Sequence, residues 1–402
     1  MTDIYIARQP IYDRQLDVFA YELLFRDDQY NRAGIVDGDQ ATTDVIVNTF
    51  MEIGLNNIVE DRLAFINLTR SFFLDERLVT MPKDRVVLEL LEDIDADNKL
   101  VQGVRRLAAQ GYRIALDDFI YHESLKPLVE SASIVKIDVM ALSEPDITAH
   151  VRELRNYPLK LLAEKVETQA MFDFCMALGF DYFQGYFFAQ PKVITGRALP
   201  NNRLAILKLL GKLQDPALPA EELEQLVTQD IALSFRILKY VNSAALALPR
   251  KIESIHQALV LVGIQNIRNW SLLLSTSLID NKPIELVVTA MVRGRMAELL
   301  AYAWDLDNPD AYFTVGLFSA LDALMDNTME EILTQLPLAE NIANALLHHS
   351  GRHGTVLDCV LAYERGEWEA VRCASLSINR IRDCYLDALQ WANQMRRQLL
   401  EQ

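Results

Sequence analysis

Cysteine is scarce. The 402 residues hold four, Cys175, Cys359, Cys373 and Cys384, with no CxxC pair and no grouping with histidine at zinc-ligand spacing. This argues against a disulfide scaffold and predicts a reduced, cytosolic chain. Basic excess is missing too: 39 Lys and Arg stand against 56 Asp and Glu, a formal net charge of −17. Holding phosphate backbones needs clustered Lys and Arg, so no nucleic-acid surface is expected. A small anion held through bound cations stays compatible with that charge. The opening Met1-Thr2-Asp3-Ile4-Tyr5-Ile6 has neither a basic leader nor an apolar core, and no apolar run is long enough to cross a bilayer. The expectation is a soluble cytoplasmic protein with no membrane partner. Internal repeats, low-complexity tracts and sustained heptads are also absent. What remains is an ordinary globular composition, 51% hydrophobic and 24% charged, with enough length for two cores.

The first 190 or so residues alternate strand-like and helix-like patterns. Residues 4–7 and 16–25 flank the turn-like Tyr12-Asp13-Arg14-Gln15 and predict an opening hairpin. A helix-like segment covers residues 41–53, and strands are predicted over 63–68, 86–90, 114–117, 134–138, 159–164 and 180–183. About eight strands separated by helices favour a closed barrel over an open sheet, with the hairpin contributing one antiparallel strand. Residues 192–202, rich in Gly, Pro and Asn, read as a linker. Beyond them strand patterns nearly vanish, and apolar residues recur at helical spacing over 204–213, 220–228, 232–241, 264–279, 284–304 and 378–400. The predicted division is an α/β barrel over residues 1–195 and an all-α domain over 196–402.

The stretch Arg113-Ile114-Ala115-Leu116-Asp117-Asp118-Phe119 shows the logic of the first domain. A helix-like run over 98–110 stops at Gly111, a buried strand follows, and the strand ends in two adjacent carboxylates. The same placement recurs along the barrel. Glu22, Asn67, Glu89, Lys136, Glu164 and Gln184 each close or follow an apolar run, and Glu167 lies just beyond one. In an α/β barrel these positions share the rim where chemistry is done. Any one of them alone is more simply a helix cap or a solvated loop residue. Taken as a set, they gather carboxylates that repel one another unless cations neutralise them. Hard divalent ions with oxygen ligands solve that problem, and two of them can activate water for displacement at phosphorus.

These residues carry a resemblance. Glu22-Leu23-Leu24-Phe25-Arg26, Asn67-Leu68-Thr69, Glu89-Leu90-Leu91-Glu92, Asp117-Asp118-Phe119, Lys136-Ile137-Asp138, Glu164-Lys165-Val166-Glu167-Thr168 and Gln184-Gly185-Tyr186 stand in the order of the EAL family motifs. The first domain is therefore similar to the EAL cyclic di-GMP phosphodiesterases, which are modified TIM barrels with one antiparallel strand. The resemblance implies Mg2+ or Mn2+ in a two-metal site held by Glu22, Asn67, Glu89, Asp117, Asp118 and Glu164. It implies that Lys136 assists the attacking water, that Glu167 and Gln184 support the metal–water site, and that Arg26 meets a phosphate of cyclic di-GMP. Two departures are visible. The name-giving tripeptide reads Glu22-Leu23-Leu24, and Asp118-Phe119 runs into Ile120-Tyr121-His122-Glu123-Ser124-Leu125, a shortened loop without the family's glycines. That loop couples dimerisation to metal and substrate binding in the family, so the resemblance admits a homodimer, and Gly permits backbone shapes that Ile120 and His122 disfavour.

In the second half, Asp215-Pro216, Leu238-Lys239-Tyr240-Val241-Asn242-Ser243, Ile252-Glu253-Ser254-Ile255-His256-Gln257-Ala258 and Leu261-Val262-Gly263 resemble the HDOD family. HDOD domains are helical relatives of the HD phosphohydrolases that generally lack the His-Asp metal pair. Here no His-Asp dipeptide occurs, and Gly316-Leu317-Phe318-Ser319-Ala320 fills the corresponding context. His348, His349 and His353 cluster, but Gly351 breaks the helix between them and helix-end capping is the simpler reading. The tandem covers nearly the whole chain and resembles the YuxH-like EAL–HDOD signalling proteins, in which the short loop after Asp-Asp-Phe is typical. That resemblance implies an α/β modified TIM barrel with one antiparallel strand plus a separate all-α HDOD domain, which would pass a signal to another signalling protein. Two readings stay open: a metal-dependent phosphodiesterase forming pGpG, and a barrel that serves as nucleotide receptor or interaction scaffold without turnover.

Overall fold

A computed structural model describes residues 4–27, 54–74, 81–91, 97–185, 187, 201–215, 217–229, 233–234, 237–238, 241, 252, 254–276, 282–336, 338–374 and 376–399. The chain divides into two compact units. One runs to Phe187 and takes in Tyr363–Trp368, and the other spans Phe188–Ala362 and Glu369–Gln402. The expected helix over 41–53 and the linker residues 192–200 lie outside the described residues, as does most of the expected helix over 232–241.

Eight strands close the first unit into a barrel in sequence order: β1 Ile4–Tyr12, β2 Val18–Asp27, β3 Leu63–Leu68, β4 Val86–Leu90, β5 Arg113–Leu116, β6 Ile134–Asp138, β7 Lys160–Glu164 and β8 Tyr182–Phe183. β1 is antiparallel to both neighbours and the other ladders are parallel, which is the modified TIM barrel that the sequence predicts. The first strand is longer than the predicted 4–7 because it continues through Arg8-Gln9-Pro10. β1 meets β8 only at Tyr12 opposite Phe183, so Pro10 has a ladder on one side and its missing N–H costs little there. Asp13 closes the hairpin by accepting from the backbone N–H groups of Gln15 and Asp17.

Helices α1 Leu55–Val59, α2 Arg70–Leu74, α3 Asn98–Ala109, α4 Lys126–Val129, α5 Glu144–Leu154 and α6 Gln169–Leu178 fall between the strands. Local chemistry sets their ends. Asp97, Ser143 and Thr168 cap α3, α5 and α6 by accepting the N–H of Leu100, Asp146 and Met171, and Gly179 ends α6 in the left-handed conformation. Inside the barrel lies an apolar layer of Ile11, Ala20, Phe65, Val87, Ala115, Ile134 and Leu162, each 3% exposed or less.

The second unit is helical throughout its described residues: α7 Asn201–Leu213, α8 Ala220–Gln229, α9 Ile255–Val262, α10 Ile264–Thr276, α11 Ile284–Ala303, α12 Pro309–Phe318, α13 Leu321–Met325, α14 Met329–Gln335, α15 Glu340–His348, α16 Gly351–Glu364 and α17 Ile378–Leu399. α12 is buried on nearly every face, so it lacks the one-sided spacing that marks α3 in the sequence. Among the described residues no helix is long and apolar enough to cross a membrane.

Candidate functional site

Side chains of a strand alternate between two faces, so the position two residues beyond an inward residue is inward again. Applied to the apolar layer, the rule reaches the predicted set. Two steps past Ala20, Phe65, Val87, Ala115, Ile134, Leu162 and Tyr182 stand Glu22, Asn67, Glu89, Asp117, Lys136, Glu164 and Gln184. A polar layer therefore lies on the apolar one at the C-terminal ends of the parallel strands. Asp117 and Gln184 stand one residue past β5 and β8. Their backbone N–H groups still extend the ladders, donating to the carbonyls of Leu90 and Ala163 at 2.9 and 2.8 Å. Because β1 runs the other way, its inward residue at this level precedes the apolar one: Gln9 pairs with Glu22 as Ile11 pairs with Ala20.

Lys136 occupies the centre and is fully buried. Its Nζ lies 2.7 Å from Glu89 Oε1, 2.7 Å from Asp117 Oδ1, 2.9 Å from Glu164 Oε1 and 3.3 Å from Glu22 Oε2. Glu22 is held further by amides, accepting from Asn67 Nδ2 at 2.9 Å and Gln184 Nε2 at 2.8 Å, and Gln184 also donates to Gln9 Oε1 at 3.1 Å. The electrostatics follow from burial and company. Burial would raise the Glu22 carboxyl, but the Lys136 charge and the two amide donors outweigh it and hold it below the usual range. Glu89, with the same burial and the Glu22 charge beside it, is raised well above that range. Burial pushes Glu164 up to about 8, against the pull of Lys136. Burial disfavours the ammonium of Lys136, yet Glu164, Glu22, Glu89 and Asp117 together raise it well above an ordinary lysine.

The remaining predicted residues separate. Asp118 sits beside the centre with φ of 40° and meets Lys165 Nζ at 3.4 Å, and Lys165 also binds Asp138. Glu167 is exposed in the turn before α6 and makes no hydrogen bond or ion pair with the described residues. Arg26 lies on β2, four residues beyond Glu22, with its side chain outside the described residues. In the shortened loop, Ile120 and His122 need no left-handed backbone, since Asp118 alone takes it there, and Asp is among the residues that tolerate it. His122 instead caps the short 3₁₀ turn Glu123–Leu125, and the Tyr121 hydroxyl lies 3.3 Å from that of Tyr157. Gly185 earns its place by close approach, because a Cβ there would fall 2.2 Å from the Val166 carbonyl oxygen.

Three residues of the site were not singled out from the sequence: Gln9, Lys165 and Asp138. Gln9 carried a findable signal, because an antiparallel β1 must contribute the residue before its apolar position. Lys165 and Asp138 stand inside the motifs Glu164-Lys165-Val166-Glu167-Thr168 and Lys136-Ile137-Asp138, but the motifs give them no role, and Lys165 takes the left-handed φ of 55°.

A divalent cation here would depend on these same donors. Among the described residues no three acidic, His or Cys side chains converge on one empty point, because the Lys136 ammonium takes the centre. Yet Asn67 Oδ1, Glu89 Oε2, Asp118 Oδ1, Glu164 Oε2 and Gln184 Oε1 are buried oxygens without a hydrogen-bond partner. Glu89 Oε1 also lacks hydrogen-bond geometry, although its ion pair to Lys136 is short. Buried oxygens are rarely left so, and an all-oxygen, mainly anionic donor set suits a hard divalent ion. The residues fit.

In the helical unit, Ser319 and Ala320 stand where a His-Asp pair would be, and Ser319 accepts from Arg293 Nη1 at 3.3 Å. The histidines serve helix ends and packing. His349 is the left-handed cap of α15 and pairs with Asp358, while His353 stacks on Tyr312 at 4.1 Å.

Two family patterns match the chain in succession. The EAL domain family pattern matches residues 3–191, and that of the HDOD domain matches residues 199–351. Uncharacterized protein YuxH of Bacillus subtilis (strain 168) is 33% identical over 98% of both chains. Cyclic di-GMP phosphodiesterase CdgJ of Vibrio cholerae serotype O1 is 33% identical over 99% of this chain and 94% of that protein. Among solved structures, the PaMucR phosphodiesterase in its cyclic di-GMP complex is 24% identical with a TM-score of 0.40, covering 50% of this chain and 99% of that one. Matched end to end by relatives at that identity, the chain belongs to the family of tandem proteins in which an EAL domain is followed by an HDOD domain.

Proposed function

We propose that the barrel is a metal-dependent phosphodiesterase that opens cyclic di-GMP to pGpG, and that the helical domain transmits the state of the barrel to a protein partner. The observation that carries this reading is the polar layer itself, with five buried oxygens lacking hydrogen-bond partners around one lysine. The printed activity of the full-length relative CdgJ supports it. Glu22, Asn67, Glu89, Asp117, Asp118 and Glu164 would hold Mg2+ or Mn2+. Bound there, the ions would acidify a water and neutralise charge on the phosphodiester.

The chain's own groups supply the rest. Lys136, its ammonium stabilised by four carboxylates, holds its proton near neutral pH, so it acts as a charge and hydrogen-bond donor toward an attacking water and not as a base. Asn67 and Gln184 fix the Glu22 carboxylate by donating one bond each, and Gln184 is tied in turn to Gln9 of β1. Glu167 and Arg26, assigned by motif, would support the water site and meet a phosphate.

A second reading, nucleotide binding without turnover, is favoured by one feature. The loop after Asp118 is tied to Tyr157 and the Glu123 turn and lacks its family glycines. The deciding experiment follows pGpG formation from cyclic di-GMP with Mg2+ or Mn2+, alongside a binding titration. Metal-dependent product that disappears in Asp117→Asn supports the enzyme. Binding without product makes the barrel a receptor, and absence of both removes the nucleotide from the reading.

A further inference from the structure

The helical unit forms a cavity of about 910 Å3, open to solvent on one side, between α7, α10, α12 and α15, in the size range of small-molecule sites. Three cations line it, Lys208 and Lys212 from α7 and Arg268 from α10, in a chain whose formal net charge is −17. None of the three forms an ion pair with a described residue. Two carboxylates are also present, but each is engaged locally: Asp310 accepts from Asn269 Nδ2 at 3.0 Å and Asp215 from the Ala217 N–H at 2.9 Å.

Arg268 is the telling residue. It is only 9% exposed, and its guanidinium reaches the Leu218 carbonyl at 3.4 Å and Gln265 Oε1 at 3.5 Å. Its Nε has no partner. A buried guanidinium with two long bonds and a bare N–H bears a desolvation cost that an anion in the cavity would offset. The backbone points the same way. α12 begins beside Asn308 and α15 beside Ala339, both lining the cavity, and neither cap residue supplies a side-chain hydrogen bond. Uncapped helix N-termini direct positive potential at whatever lies before them, and α15, which has no proline in its first turn, adds free N–H groups. Around these, Gln214, Gln335 and Asn341 offer amide donors and acceptors, and among the described residues no aromatic ring lines the wall. Such walls suit hydroxyl groups better than a stacked ring.

We infer that this cavity is a second ligand site, for a phosphomonoester of a small polyhydroxylated molecule, a sugar phosphate or a nucleotide. The phosphate would meet Arg268, the two lysines and the helix N-termini, and the hydroxyls would meet the amides. A ligand held by four helices through one anion gives the helical unit an input of its own, separate from the barrel.

The test is calorimetric titration of the full chain with glucose 6-phosphate, 5′-GMP, inorganic phosphate, and unphosphorylated glucose and guanosine. Saturable binding of at least one phosphomonoester is expected, weakened by about tenfold or more in the exposed pair Lys208→Gln/Lys212→Gln and in Arg268→Lys. Binding should be unchanged in Asp117→Asn, which leaves the cavity intact. The two esters distinguish a sugar from a nucleoside body. The inference is overturned if neither ester binds, if the lysine pair and Arg268→Lys bind as tightly as the parent, or if inorganic phosphate binds as tightly as the esters.

Discussion

Replacing Lys136 with methionine removes one ammonium and keeps most of the buried volume. Four carboxylates then face one another with nothing between them, at positions now 2.7–3.3 Å from the lost charge. Removing one partner of a buried ion pair costs about 3–5 kcal/mol, because the other partner stays buried and uncompensated. The pH dependence fixes the sign. Glu164 already titrates at about 8 against an ordinary 4.5, so the metal-free folded state binds its proton more tightly than the unfolded chain does. Stability from that group is present at acid pH and is lost as pH rises through 8. Without Lys136, Glu22 keeps only its two amide donors against burial, and Glu89 and Glu164 rise further. The penalty in Lys136→Met should therefore be small near pH 5 and reach its full size near pH 8. Amide hydrogen exchange of the β4 and β6 peptides, in chelator, reads this locally and avoids treating a two-domain chain as one transition. Excess Mg2+ or Mn2+ should restore protection, by about 2.7 kcal/mol at a hundredfold excess over its dissociation constant. Equal protection of parent and variant at pH 8 would refute the electrostatic account of the site.

Other outcomes follow from the same geometry. Asp117→Asn keeps shape and removes a charge 2.7 Å from Lys136, so turnover and metal-assisted nucleotide binding should be lost, as read by pGpG formation and titration. Gly185→Ala places a Cβ 2.2 Å from the Val166 carbonyl oxygen and should cost about 1–3 kcal/mol, seen as a lowered denaturation midpoint of the barrel; an unchanged midpoint would mean that this contact relaxes freely. Asp97 caps α3, and its hydrogen bonds from Arg70 and the Leu100 N–H hold its carboxyl down at about 2, against an ordinary 3.8. That lowered value contributes stability above about pH 4 that fades as pH falls toward 2, a component that Asp97→Asn should abolish in acid titrations followed by circular dichroism.

The site was legible because each polar residue interrupts an apolar strand at its end, and the period-two rule then decides its side. Strands 63–68, 86–90 and 134–138 fall where the apolar runs place them. Glu22, Asn67, Glu89, Asp117, Lys136, Glu164 and Gln184 converge in one layer for that reason. Gln9 was missed because Arg8-Gln9-Pro10 reads as a strand end, and only its pairing with Glu22 shows the strand continuing. α12 of the second unit was missed for the opposite reason. α12 is apolar on all faces, and a segment buried all round has no periodicity to betray it.

The sequence by itself determined the two-domain division into barrel and helices, the family, and the inward identity of the rim residues. These depend on local alternation and motif order, which survive without coordinates. Only the tertiary structure decided which charges share a centre. Lys136 meets carboxylates from β2, β4, β7 and the residue after β5 because barrel closure brings side chains of distant strands within 3.3 Å of one ammonium. The same holds for the cavity around Arg268, whose cations and helix N-termini come from segments up to about 130 residues apart. Electrostatic coupling falls with distance in space, and distance in space is what a linear chain does not state.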